Sequence, residues 1–123
     1  MFCFLSIVGP RFITHPIASL EVVINGDFML TCSAEGFPIP SIEWFMNNTM
    51  ITSGMTMTNI DALMNIIDST LMISNAAFSD SGVYYCEAMS NEFDDDPSTT
   101  SEIAIVTVVG KLVNYIELLS ITI

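Results

Sequence analysis

The chain has 123 residues, 51% of them apolar, and sets fourteen acidic residues against only Arg11 and Lys111, for a formal net charge of −12. One domain with one core follows from that length, and so acidic a surface would repel a phosphate backbone, which excludes nucleic acid as a partner. No run reaches the roughly 18 apolar residues of a membrane-spanning helix, so no transmembrane segment is expected in this chain.

Residues 1 to 9, an apolar segment containing Cys3, read as the remnant of a secretory signal or as a truncated start, because no basic region precedes them. Pro10 to Pro16 predicts an edge strand, where proline is tolerated at both ends. Leu20 to Ile24 follows as a further apolar stretch, ended by a turn at Asn25-Gly26. Phe28, Leu30 and Cys32 then alternate with Met29 and Thr31, a period of two that places the first three on a buried face. Gly36 to Pro40 is expected as a proline-broken loop, and Ile42, Trp44 and Met46 alternate after it as the next strand.

Between residues 47 and 70 the pattern is weakest. Asn47-Asn48-Thr49 and Ser53-Gly54 read as turns, with short strand structure between Met55 and Ile67. Asn47-Asn48-Thr49 is also an N-glycosylation acceptor, which agrees with secretion. The methionines at 50, 55, 57, 64 and 72 are expected as adaptable core filling rather than as a binding face. Leu71-Met72-Ile73, with Phe78 in the following turn, predicts a strand whose apolar residues point inward. A strand over residues 82 to 90 follows, with Tyr84, Cys86 and Ala88 inward. Residues 90 to 101 form the next loop, and Ala104, Val106 and Val108 alternate with Ile105 and Thr107 as the last strand. Domain boundaries are placed at residues 10 and 110, with no internal repeat. The apolar tail from 111 to 123 is expected to be the stub of a longer chain, since its large apolar side chains would be a liability if exposed.

Asp80-Ser81-Gly82-Val83-Tyr84-Tyr85-Cys86 reads D-x-G-x-Y-x-C, and upstream Cys32 is followed twelve residues later by Trp44, the single tryptophan. This Cys, Trp, Cys order with a tyrosine two residues before the second cysteine resembles the immunoglobulin fold, closest to the intermediate set of adhesion and receptor proteins. The resemblance covers about residues 10 to 110. It implies an all-β, two-sheet antiparallel Greek-key sandwich with an inter-sheet disulfide between Cys32 and Cys86. Closing that loop of about 55 residues stabilises the fold by roughly 4 kcal/mol on the chain-entropy model, and implies an oxidising compartment. It further implies core roles for Trp44 and Leu71, a tight turn at Asp80 and Gly82, and a Tyr84 hydroxyl bonded back to the corner before its strand. In many variable-type domains the counterpart of Asp80 pairs with an arginine. No Lys or Arg lies between residues 12 and 110 here, so unless Arg11 reaches it, Asp80 is expected to bond amides of its own turn.

Catalysis is not expected. His15 is the only histidine and sits far in sequence from any candidate nucleophile, while C-x-x-C and H-E-x-x-H motifs are absent. Asp94, Asp95 and Asp96 lack the spacing of a dedicated calcium loop, so neither a metal nor another cofactor is expected. The same loop, with Asn91, Glu92 and Phe93, is instead the candidate partner-binding segment: an aromatic anchor with a charged rim. Two such loops would repel each other, so the expected partner is another protein with a basic patch, met heterophilically at the cell surface or outside the cell. The alternatives are a structural spacer in a tandem array, extracellular or muscle-type, and a non-catalytic domain of a multidomain enzyme.

Overall fold

Alternating apolar residues can bury one face only if a second sheet covers it, and the computed structural model, which describes residues 8–52, 54–90 and 98–110, consists of two such sheets. The first has four strands in the order β1 (Val8–Thr14), β3 (Phe28–Phe37), β7 (Ile66–Ile73), β6 (Met55–Asp61). The second runs β2 (Ser19–Val23), β10 (Ala104–Val109), β8 (Gly82–Met89), β4 (Ser41–Met46), β5 (Thr49–Met50), with β9 (Ser98–Thr100) also paired to β8. All pairings are antiparallel except one: β2 lies parallel to β10, from Ser19 beside Ile105 to Val23 beside Val109. The first strand therefore begins in one sheet and, after Thr14, crosses to the edge of the other.

The inward residues form the core expected from the period of two. Leu30, Cys32, Trp44, Leu71, Tyr84, Cys86 and Val106 are almost wholly buried between the sheets. Cys32 on β3 is bonded to Cys86 on β8, with Cα atoms 7.0 Å apart, so the disulfide ties one sheet to the other. Trp44 stands beside Cys86 across the β4–β8 ladder, and its indole Nε1 donates to the buried Ser69 Oγ at 2.9 Å. That bond removes the penalty that an unpaired indole N–H would carry in the core.

Several elements differ from expectation. Strand β3 continues through Gly36 and Phe37, where the sequence predicts a loop, because β1 pairs with it as far as Val8 beside Phe37. Strand β7 starts at Ile66, ahead of the expected Leu71, and its first half pairs with β3 and β6 together. Phe78 lies exposed on a three-residue 3₁₀ turn, and Ala76 occupies the buried position instead. The last strand begins early, as β9. Its pairs with β8 are offset by one residue from those of β10, so residues 101–103 accommodate one extra residue, a bulge. The methionine assignment is overturned as well: Met50, Met55, Met57 and Met64 are exposed.

Candidate functional surface

The residues singled out by the sequence motif build a scaffold rather than a reactive centre. Tyr84 is buried, and its hydroxyl donates to the main-chain oxygen of Asp80 at 2.6 Å. Asp80 itself accepts at 2.7 Å from the Ala77 amide through its carboxylate, closing the turn before β8. Arg11 does not reach it, being paired with Glu35 on the neighbouring strand. Burial, and after it the Asp80 carboxylate, push the Tyr84 phenol up from 10.0 to about 12.

Gly82 permits a close approach. A Cβ there would lie 2.8 Å from Asn47 Oδ1, closer than real Cβ contacts come. Asn47 and Asn48 both have positive φ, 50° and 69°, and form the two-residue turn between β4 and β5, the primed type that Asn tolerates. The turn is pinned to β8: Asn47 Oδ1 accepts from the Val83 amide at 2.9 Å, and the Asn47 amide donates to the Val83 oxygen at 2.8 Å. The proposed glycan acceptor is thus an exposed residue whose side chain already holds a turn.

Groups with acid–base or metal-binding character are dispersed. Exposed His15 accepts at Nδ1 from the Glu102 amide at 3.0 Å, which ties the crossover after β1 to the bulge before β10. Among the described residues, no three His, Cys, Asp or Glu side chains are grouped closely enough to hold a metal ion. No helix among them is long and apolar enough to cross a membrane. The candidate partner-binding segment, Asn91, Glu92, Phe93, Asp94, Asp95 and Asp96, lies outside the described residues, as do residues 1–7 and 111–123.

What the described residues do present is an apolar outer face. Met72 on β7 is flanked by Met29 on β3 and by Met55 on β6, so three methionines form one row across three strands of the four-stranded sheet. The next row on the same face is Thr31, Thr70 and Met57. Met29, Met55 and Met57 are each more than half exposed. Beside this face, Met29, Met72, Phe28, Leu20 and Val22 line a groove of about 640 Å³ where β1 has left β3 and β2 has joined the other sheet. Composition could not reveal this surface, but strand phase could. Met29 and Met72 adjoin the buried Leu30 and Leu71, and neighbours along a strand face opposite ways.

The family profile described as immunoglobulin domain matches residues 10–90. Among curated proteins, a vascular endothelial growth factor receptor kdr-like protein of Danio rerio is 32% identical over 103 residues, 84% of this chain and 7% of that protein. Neural cell adhesion molecule L1.1 of Danio rerio is 36% identical over 61 residues, 50% of this chain and 5% of that protein. A peroxidasin homolog of Mus musculus is 36% identical over 80 residues, 64% of this chain and 5% of that protein. The chain thus spans a small fraction of each relative. Among solved structures, a chimeric titin Z1Z2 carrying a decorin peptide superposes with a TM-score of 0.67 at 21% identity, covering 86% of this chain and 100% of that one. The tandem Ig repeats of Dlar superpose with a TM-score of 0.63 at 21% identity, covering 85% and 50%. Likeness at that identity establishes the fold alone.

Proposed function

Since this chain belongs to the immunoglobulin domain family, its profile matching residues 10–90, we propose that it is a protein-recognition module of a longer adhesion, receptor or matrix protein, displayed at the cell surface or outside the cell. Its subtype is the intermediate set. A β2 strand parallel to β10, and a short β5 followed by β6 in the opposite sheet, support that assignment.

One observation carries the recognition reading: the methionine row Met29, Met72, Met55 lies on the outer face of a sheet whose central strands, β3 and β7, pack their other face into the core. Flexible, polarisable thioethers suit a surface that must fit a partner, and no reactive constellation competes with that use among the described residues. The adhesion and receptor relatives support the same class of role. The acidic segment from Asn91 to Asp96 supplies the second half of the proposal. It would select a heterophilic partner with a basic patch, whose association slows as salt rises.

The test is a bivalent fusion of the chain, produced through a secretory pathway and screened against arrayed extracellular proteins. The recognition reading expects a partner whose binding weakens when Glu92, Asp94, Asp95 and Asp96 become Asn or Gln, or when Met29 and Met55 become Ser. Binding to no arrayed protein above a second immunoglobulin domain used as control would favour the spacer role instead. Intact mass with and without reduction, showing Cys32 and Cys86 as free thiols in folded protein, would overturn the extracellular placement.

A further inference from the structure

A sandwich remains monomeric only if its sheet edges are guarded, and the described edges of this domain are unequally so. Strand β1 contains Pro10, carries the Arg11–Glu35 ion pair, and is broken by two register shifts against β3. Strands β5 and β9 have two and three residues, and β2, the edge beside β10, has five with the charged Glu21 at its centre. Strand β6 has none of these protections. Its seven residues, Met-Thr-Met-Thr-Asn-Ile-Asp, pair with β7 without a register break, all are exposed, and they include no Lys, Arg, Pro or Gly. As the last strand of its sheet, it turns the unpaired half of its backbone groups outward.

We infer that β6 is a self-association edge, on which a second copy of this chain docks antiparallel about Thr58 to join two four-stranded sheets into one of eight. This interface uses the free backbone edge of β6; it adjoins the proposed recognition face at Met55 and Met57 but does not rest on that reading. The strand is complementary to itself. With Thr58 opposite Thr58 of the second copy, Met57 meets Asn59, Thr56 meets Ile60 and Met55 meets Asp61, and outer-face residues meet only outer-face residues. The two Met57 side chains become diagonal neighbours across the seam, within reach of each other, which extends the thioether surface from one copy into the next.

Charge favours a copy over a basic partner strand. From Met55 to Ile60 the edge is neutral, so a row of lysines would find no carboxylate opposite. The single charge of the strand, Asp61, falls at opposite ends of the seam in the two copies. Six residues of strand separate the pair by about 20 Å, more than two Debye lengths at physiological salt. Repulsion between two acidic domains therefore acts through the distant charges, which salt screens. Association through β6 tightens with salt, whereas binding of a basic partner weakens. A single strand pair is small beside ordinary interfaces, so the dimer is a weak one.

The experiment is sedimentation equilibrium of the oxidised full chain over a wide concentration range at low and high salt, with cross-linking in a Cys3→Ser background. Expected are a reversible dimer favoured by salt, its loss in Thr58→Lys with the thermal midpoint nearly unchanged, and an oxidised dimer from Thr58→Cys. Thr56→Cys alone should not cross-link but should do so when mixed with Ile60→Cys. A monomer at every concentration, a dimer that Thr58→Lys leaves intact or that salt weakens, or equal cross-linking at 56 and 58 would each overturn the inference. Should Thr58→Lys fail to fold, the cysteine pattern decides alone.

Discussion

The Tyr84 hydroxyl and the main-chain oxygen of Asp80 stand 2.6 Å apart, so the strand carrying the second cysteine is bonded back to the turn that launches it. Replacing Tyr84 with Phe keeps the ring in the core and removes only this bond. The expected loss is about 1 kcal/mol, read as a lower denaturant midpoint with an unchanged slope.

The same residue sets an alkaline limit. An unfolded tyrosine ionises near 10.0, while in the folded domain Tyr84 holds its proton to about 12. The folded state therefore binds more protons than the unfolded state between those values. Stability is full below pH 10 and falls as pH rises through that window. In Tyr84→Phe the decline over this range should be shallower, which denaturant titrations at several alkaline pH values would show.

Ser69→Ala leaves the Trp44 indole N–H without an acceptor inside the core. The expected cost is about 1–3 kcal/mol, larger than for an exposed serine. A shift in tryptophan fluorescence, Trp44 being the single indole, would report the change locally.

Asn47→Gln, the usual way to remove a glycan, should weaken the fold even where no glycan is attached. The variant moves the acceptor away from the Val83 amide and puts a longer side chain at a positive φ. Unglycosylated protein should lose about 1 kcal/mol. Thr49→Ala also destroys the acceptor motif but leaves the turn bond intact, and should cost less. Equal losses in thermal melts would contradict the structural role of Asn47.

Gly82→Ala should destabilise by about 1–3 kcal/mol through overpacking against Asn47. Combined with Asn47→Ala, the cost should be less than the sum of the two single changes. A double-mutant cycle that shows additivity would exclude the contact as its cause.

The core was legible wherever burial alternates with exposure along a strand. Phe28, Leu30 and Cys32, and later Ala104, Val106 and Val108, contrast with polar or exposed neighbours, and each set lies buried. Strand β6 offered no such contrast: all its residues are exposed, and Met alternates with Thr without one face being hidden. Strand β9 was missed because Ser98, Thr99 and Thr100 carry turn-like polarity, and its pairing with β8 is visible only in three dimensions. The number of methionines suggests core filling, whereas the phase of Met72 beside the buried Leu71 sets it and its neighbour Met55 on the outer face. The Asp80 bond to its own turn was readable from the scarcity of basic residues, since a carboxylate without a cation nearby takes backbone amides.

The parallel ladder of β2 on β10 has a mechanical consequence. Val8 pairs with Phe37 at one end of the sandwich, and Val109 lies beside Val23 at the other. A pull applied through the chain on either side of the domain would draw β2 and β10 in opposite directions along their common axis. Their hydrogen bonds would then be loaded together in shear rather than opened one by one. Extension should therefore meet resistance first where β1 lies on β3 and then at five residue pairs, Ser19 through Val23 against Ile105 through Val109, and the core should be felt only after these have parted.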